Sequence, residues 1–320
     1  MFSYLTGYGE LKEISLYSTY SDNRLKDCVL NARSELNTPI GTLVPQYEHT
    51  GVRRKQTYSV SFFPNGKLSR VALHEQTTVN TPIGKLPAEL ITFYENGSIK
   101  KLFPLNGQIS GYWSEDDEYD LAEEFSFDFP FGSFRARIIA IGFYENGSFQ
   151  SLTLWPNEVI TINTPIGEQR IRIGFSLYPD GSLKSFEPAV PIKVTTPIGP
   201  INSFDINANG ISGDKNSLNF YEDGNIKSLT TSSSKVTVTG PDNISKVYSP
   251  KYVGELYESD LFFRPLQIDF EKDLVRFNGQ DEYKLEECRF KVEQYIKPAQ
   301  SKCSNCSSCR QCSSDLLKIV

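Results

Sequence analysis

The sequence reads Val-Asn-Thr-Pro-Ile-Gly at 79–84 and, after a short apolar segment, Phe-Tyr-Glu-Asn-Gly-Ser-Ile at 93–99. Both motifs recur and alternate along the chain, which is typical of a repeat protein. The first recurs as Asn-Thr-Pro-Ile-Gly at 37–41 and 163–167, and as Thr-Thr-Pro-Ile-Gly at 195–199. We refer to it as the Pro-Ile-Gly motif and to the second as the Asn-Gly motif.

The Asn-Gly motif predicts a β-hairpin. Its other copies occupy 62–66, 143–147, 177–181 and 220–224, with Pro or Glu before the Asn or Asp. Proline fixes φ near −65°, which excludes a type I′ turn and favours a type I turn followed by a left-handed Gly bulge. In such a loop the apolar residue before the turn stands opposite the one after it. The expected pairs are Phe62/Leu68, Phe93/Ile99, Phe143/Phe149, Leu177/Leu183 and Phe220/Ile226, with Thr92 and Lys100 next on the solvent face.

The Pro-Ile-Gly motif also predicts a turn with Gly at positive φ, and both type I with a bulge and type II remain open. Strand-like segments flank it, so each repeat supplies two strands. We therefore expect the two kinds of turn at opposite edges of an antiparallel meander. Weaker copies of the motifs at 20–26, 130–132 and 240–243 extend the array. Segments expected to form longer loops or small extra hairpins lie at 46–54, 105–124 and 207–215.

The predicted fold is all-β, an antiparallel β-meander of repeated hairpins that is elongated or curled. The expected divisions are a repeat domain at 1–250, a mostly-β capping segment at 251–298 and a flexible Cys-rich tail at 299–320. In the capping segment, alternating residues predict strands at 266–270 and 274–277. Residues 282–296 suit either strand or helix, and we favour strand, closing the open end of the array.

The composition limits the function classes. A net charge of −6 argues against general nucleic-acid binding, which needs a basic surface. No apolar stretch is long enough to span a bilayer, and no secretory signal is recognisable, so we expect a cytoplasmic protein without membrane partners. Disulfides are not expected in that compartment. No phosphate loop, dinucleotide fingerprint or nucleophile elbow occurs, which favours a non-enzymatic protein.

The Phe-Tyr-Glu-Asn-Gly-Ser-Ile-Lys pattern, followed in one copy by Leu-Asn-Gly-Gln-Ile-Ser-Gly at 105–111, resembles the MORN-variant repeats of bacterial proteins. The resemblance covers the hairpin tips from about Tyr20 to Leu229. It implies β-hairpins stacked into a sheet that serves as an interaction scaffold, with a protein as the partner. The Pro-Ile-Gly turns are a departure from that family pattern.

Four cysteines at a uniform spacing of three form the sharpest local motif: Cys303, Cys306, Cys309 and Cys312. They supply enough thiolates for a 4Fe–4S cluster or a tetrahedral Zn²⁺. The spacing of the last cysteine differs from ferredoxin-type runs, and one short peptide is cramped around zinc. A redox-sensitive Ser-rich tail and a tail without a dedicated role are the alternatives. Cys28 and Cys288 are expected to pack as small apolar residues.

Isoleucine stands at the centre of each Pro-Ile-Gly turn, at Ile40, Ile83, Ile166 and Ile198, although turn tips are usually polar. Each isoleucine could fold back over a neighbouring strand and close the core. Alternatively, the four could form an exposed apolar ridge that marks a partner-binding site.

The other candidate groups favour no site. The acidic residues at 115–128 lack the ordered ligand spacing of a calcium loop, so a solvated acidic loop is the better interpretation. His49 and His74 have no recognisable catalytic partner nearby.

The leading hypothesis is therefore a non-enzymatic cytoplasmic bacterial scaffold or binding protein. The alternative is a metal- or iron–sulfur-binding protein that uses the tail, and a third class is an enzyme built on the sheet with residues that the sequence does not identify.

Overall fold

A computed structural model describes residues 2–48, 51–54, 57–209, 213, 216–254 and 261–296. Within them the chain is all-β apart from one short helix, α1 (Glu115–Tyr119). In chain order the strands are β1 (Phe2–Thr6), β2 (Gly9–Thr19), β3 (Leu25–Leu30), β4 (Leu36–Thr38), β5 (Gly41–Leu43), β6 (Val60–Phe62), β7 (Leu68–Thr81), β8 (Gly84–Phe93), β9 (Ile99–Phe103), β10 (Glu124–Phe129), β11 (Gly132–Phe143), β12 (Phe149–Leu154), β13 (Ile160–Thr164), β14 (Gly167–Leu177), β15 (Leu183–Pro188), β16 (Ile192–Thr196), β17 (Gly199–Ser203), β18 (Leu218–Phe220), β19 (Ile226–Thr231), β20 (Ser234–Thr239), β21 (Ser245–Tyr248), β22 (Lys251–Gly254), β23 (Leu261–Arg264), β24 (Leu266–Phe270), β25 (Leu274–Phe277), β26 (Asp281–Lys284) and β27 (Arg289–Gln294).

The largest sheet has 18 strands and follows the chain as an antiparallel meander, which confirms the predicted fold class. One row of residues standing opposite one another crosses this main sheet and forms its core face. Each member of the row is apolar and buried: Cys28, Val60, Val71, Ile91, Leu102, Ile141, Leu152, Phe175, Phe186, Leu218, Leu229, Ile268 and Phe277. Because side chains alternate along a strand, the next row faces the other way, and it is polar in most strands.

The Asn-Gly turns have the predicted geometry. Each expected apolar pair occurs in the register, from Phe62 opposite Leu68 to Phe220 opposite Ile226. Gly97 has φ +97° and donates to the Tyr94 carbonyl at 2.9 Å, as a type I turn with a Gly bulge requires. Of the two residues expected on the solvent face, Lys100 is exposed and Thr92 is half-buried, and Thr92 stands opposite Lys101 because the bulge takes Lys100 out of register.

Tyrosine joins successive Asn-Gly hairpins. The hydroxyl group of Tyr94 donates to the carbonyl of Phe143 at 3.0 Å. Phe143 is the last residue of β11, the first strand of the next Asn-Gly hairpin. The same bond links the other tyrosines to later hairpins: Tyr20 to Phe62, Tyr144 to Leu177, Tyr178 to Phe220 and Tyr221 to Phe270. The tyrosine of the motif therefore stabilises the contact between repeats and the glycine shapes the turn within one repeat.

The Pro-Ile-Gly motif forms a two-residue hairpin turn. Thr81 stands opposite Gly84, and the Thr81 hydroxyl donates to the Gly84 carbonyl at 2.7 Å. Gly84 has φ +116°, whereas Ile83 is not in the left-handed region, so the turn is type I and not type II. The same hydroxyl bond forms in the three other Thr-Pro-Ile-Gly copies and from Thr6 to Gly9, which reveals a first copy, Thr-Gly-Tyr-Gly, that sequence analysis missed.

The two kinds of turn do not lie at opposite edges, and that expectation was wrong. A Cβ placed on Gly147 would lie 3.5 Å from Pro82 Cγ, and one on Gly224 would lie 3.4 Å from Pro165 Cβ, so tips of both kinds are in contact. The long strands bend before they reach their tips. In β7, residues 73–76 stand opposite Glu89, and such a bulge kinks a strand strongly.

After these bends, the Pro-Ile-Gly hairpins fold back over the core face and form a second layer, which we call the hairpin layer. Phe129, Phe131 and Phe134 of the β10–β11 hairpin lie within 6.2 Å, ring centre to ring centre, of Phe175 in the core row. Tip backbones also join neighbouring hairpins, as Asn80 donates to the Ile40 carbonyl at 3.0 Å. The core therefore lies between two β layers, and the other face of the main sheet, its outer face, is left to other segments.

The capping segment continues the main sheet. Strands β24, β25 and β26 pair in sequence after β19, so this segment supplies one more hairpin of the array where departure from the repeat was expected. Residues 282–296 contribute to β26 and β27, which confirms the strand prediction, and β27 pairs with β20. Residues 299–320 lie outside the described residues. No helix in the described part of the chain is long and apolar enough to cross a membrane.

Candidate ligand-binding groove

A cavity of about 620 Å³ lies on the outer face of the main sheet. Leu90 and Phe103 stand opposite each other and, by alternation, face away from the core row. Segments outside the repeat complete the wall, including Ile109 of the 105–124 insertion and Ala208 of the 205–209 loop. Aliphatic and aromatic side chains provide most of the lining: Leu90, Phe103, Leu105, Ile109, Ile139, Trp155, Pro156 and Ile173.

A second cavity, of about 630 Å³, adjoins the first. Ala208 and Asn209 line both, so the two cavities lie side by side, and we refer to them together as the groove, with an apolar half and a polar half. The polar half is rich in side-chain amides and carries two carboxyl groups: Asn207, Asn216, Asn219, Gln267, Glu187 and Asp205.

A buried ion-pair network fixes the apolar half. Arg53 donates to both oxygens of Glu89 at 2.8 and 2.9 Å and to both oxygens of Glu118 at 2.8 Å. Glu118 also accepts the indole N–H of Trp113 at 2.8 Å and the backbone N–H of Gly107 at 2.7 Å. Because Glu89 belongs to β8 and Glu118 to α1, this network fastens the insertion to the main sheet.

The network sets the charge state of Glu118. Burial alone would raise the pKa of this carboxyl group, but the hydrogen bonds from Arg53 and Trp113 outweigh it and hold the pKa below its ordinary value. Both oxygens already accept hydrogen bonds from protein donors, so Glu118 serves to position the insertion. Around it, Ser114 and Asp117 form a capping box that starts α1, where sequence analysis expected a longer loop or an extra hairpin.

A second ion pair marks the junction of the two halves. Arg172 lines the apolar half and lies 3.5 Å from Glu187, which lines the polar half. Glu187 is fully buried and accepts the backbone N–H and the hydroxyl of Ser217 at 2.8 and 2.9 Å. Burial raises the pKa of Glu187, with the Ser217 bonds acting in the opposite direction. Arg172 also donates to the Asp205 carbonyl at 2.7 Å and so holds the loop that closes the groove.

Backbone strain occurs at the same place. Ile173 has φ +64°, a conformation that a β-branched residue rarely adopts. Next to it, a Cβ on Gly174 would lie 1.9 Å from the Leu152 carbonyl oxygen, so only glycine fits. These residues form the bulge at which β14 bends toward the hairpin layer, and the bend brings Ile173 to the groove wall.

Each half of the groove has a buried polar atom without a hydrogen bond in the described part of the chain. In the apolar half it is the indole nitrogen of Trp155, a residue only 6% exposed, and in the polar half it is the Asn216 side-chain oxygen. Buried polar groups are nearly always paired in folded proteins, so these two atoms are exceptions, as are single side-chain atoms of Gln46, Arg54, His74 and Ser233 away from the groove.

The four isoleucines do not form a continuous exposed ridge. Ile198 is 5% exposed, Ile40 and Ile166 are half-buried against the core, and Ile83 is 42% exposed. Most of these side chains therefore close the core, the alternative that sequence analysis left open. Whether Ile83 contacts a partner stays a prediction.

The other predicted residues are placed as follows. Cys303, Cys306, Cys309 and Cys312 lie outside the described residues, as does His49. His74 is stacked on Tyr47 with ring centres 4.0 Å apart. Cys28 is buried in the core, where burial raises the pKa of its thiol to about 12. No group of three or more His, Cys, Asp or Glu residues is placed to hold a metal ion in the described ranges.

Sequence analysis missed the groove although it marked the segments that build it. The 105–124 and 207–215 segments were identified as departures from the repeat, which was the available signal. Their charged partners, Arg53 and Glu89, are too far apart along the chain for spacing to pair them.

Comparison with family models, curated proteins and solved structures found no match for this chain.

Proposed function

We propose that this chain is a non-enzymatic binding protein that holds an extended segment of a partner protein in the groove on its outer face. One observation carries the proposal: an apolar cavity and an amide-rich cavity meet at Ala208 and Asn209. An apolar side chain of a peptide fits the first cavity. Side-chain amides in the second can both donate to and accept from a peptide backbone.

Two features support binding over a reaction at this site. The walls are strands and segments held by buried ion pairs, which favours a preformed groove. Glu118, the buried carboxyl group of the apolar half, is occupied by protein donors. As the place of action we propose the cytoplasm, a reducing compartment with which the free thiols of Cys28 and Cys288 are compatible.

Selection from a displayed library of random heptapeptides tests the proposal. The wild type is expected to enrich peptides that Ala208→Trp fails to retain, because the indole fills the junction of the two halves. Ala32→Trp, at a half-buried position that lines neither cavity, is the control and should retain them. Peptides retained equally by all three proteins, or no enriched peptide at all, would contradict binding in the groove.

A further inference from the structure

We infer that the groove recognises a basic segment of the partner, with Lys or Arg residues flanking one bulky apolar anchor residue. This inference rests on the proposed function and adds the chemistry of the partner. It is drawn from the charge of the lining and from the size and apolar side chains of the apolar half.

The lining is acidic. Glu115, Glu118, Glu187 and Asp205 line the groove, and Arg172 is the one cation among the described lining residues. Arg53 lies between Glu89 and Glu118, and the buried Arg54 interacts electrostatically with both carboxylates, so that network is balanced in charge and Glu118 adds little to the attraction.

Not all of these carboxyl groups attract a ligand equally. Glu187 contributes least, because it is buried beside Arg172 and its pKa is raised by that burial. Glu115 contributes more, because it is exposed on the first turn of α1, where Asp116 and Asp117 add further negative charge at the rim. A cation of the partner would therefore be attracted to the α1 side of the apolar half.

The apolar half accepts the anchor residue. Phe103, Ile139 and Trp155 offer aromatic and aliphatic surfaces in a cavity large enough for one bulky side chain with part of its backbone. Ala208 and Asn209 line both cavities, which suits an extended peptide that crosses from one half to the other.

The test uses the heptapeptides retained by wild type but lost on Ala208→Trp. Enrichment of an aromatic or large aliphatic residue flanked by Lys or Arg is the expected result. Enrichment of neutral or acidic peptides would overturn this inference while the proposed function stands. If nothing is enriched, both fall.

A charge-reversal pair measures the electrostatic part with a synthetic peptide of the enriched consensus. Glu115→Lys should weaken its binding about tenfold, since an attraction becomes a repulsion at the groove wall. Asp116→Lys is the matched control, because Asp116 is also exposed and lies in the same helical turn but does not line the cavity. It should lower the affinity for the peptide by less than about threefold. Equal losses for the two variants would contradict a contact with the α1 side of the groove.

Discussion

At the scale of single residues, the charged network of Arg53, Glu89 and Glu118 is the clearest example of side chains placed for a site. Three charged side chains, from a loop, a strand and a helix, would be costly to bury apart from one another. Together their hydrogen bonds satisfy both carboxylates, and Gly107 and Asn106 donate backbone N–H groups to the same oxygens. The network therefore couples the stability of the insertion to the shape of the groove.

This coupling predicts a pH dependence. Glu118→Gln should lower the free energy of unfolding by about 2–4 kcal/mol at pH 7, because it leaves Arg53 with one carboxylate in a buried site. The folded-state pKa of Glu118 is below its ordinary value of 4.5, so the stabilisation is complete above that value and is lost as pH falls through the folded-state pKa. The difference in free energy of unfolding between wild type and variant, measured by urea unfolding, should therefore become smaller below about pH 4.5.

Glu115→Gln on the same helix is the control, since its carboxyl group is exposed, and it should change stability by less than about 1 kcal/mol. A Glu118→Gln difference that stays constant from pH 7 to pH 3 would exclude the ionised pair as the source of the stability.

At the scale of elements, most hairpins have glycine at positive φ after the turn, whereas Asn23 and Asn243 take that position in the β2–β3 and β20–β21 hairpins. Gly97→Val should lower the free energy of unfolding by roughly 1–3 kcal/mol, because φ is +97° there although the surrounding space is open. Gly111→Val is the comparison, as Gly111 also has open space but no positive φ. Urea unfolding of the two variants measures the cost, and equal small effects would refute the left-handed turn as a requirement of the fold.

The metal-binding hypothesis for the Cys-rich sequence at 299–320 has its own test. If Cys303, Cys306, Cys309 and Cys312 bind one metal centre, protein prepared without oxygen should carry iron, with a brown colour, or zinc. Replacing any two of them with Ser should remove the metal and leave the unfolding of the repeat domain unchanged. Less than about a tenth of an equivalent of iron or zinc, with all four thiols titratable, would reject metal binding by the tail.

At the scale of the whole molecule, the sequence predicts features within one hairpin, and it does not predict features that depend on how the strands bend. Turn type and pairing within a hairpin follow from a few neighbouring residues, so Phe93 and Ile99 could be paired from the Asn-Gly motif alone. The positions of the Pro-Ile-Gly tips depend on bulges such as residues 73–76, which cannot be recognised from the alternation of apolar and polar residues along a strand. The groove depends on both, because it forms on the face that the hairpin layer leaves uncovered.

The central claim is therefore that the Pro-Ile-Gly hairpins fold back over the main sheet and meet the Asn-Gly turns. Cross-linking of Pro82→Cys with Gly147→Cys tests it directly, since a Cβ on Gly147 would lie 4.0 Å from Pro82 Cβ, within the range for a disulfide. Oxidation followed by peptide mapping should show the 82–147 disulfide. Pro82→Cys with Gly97→Cys, nearer in sequence but not in contact, should form none. A cross-link in the second pair and none in the first would contradict the two-layer fold.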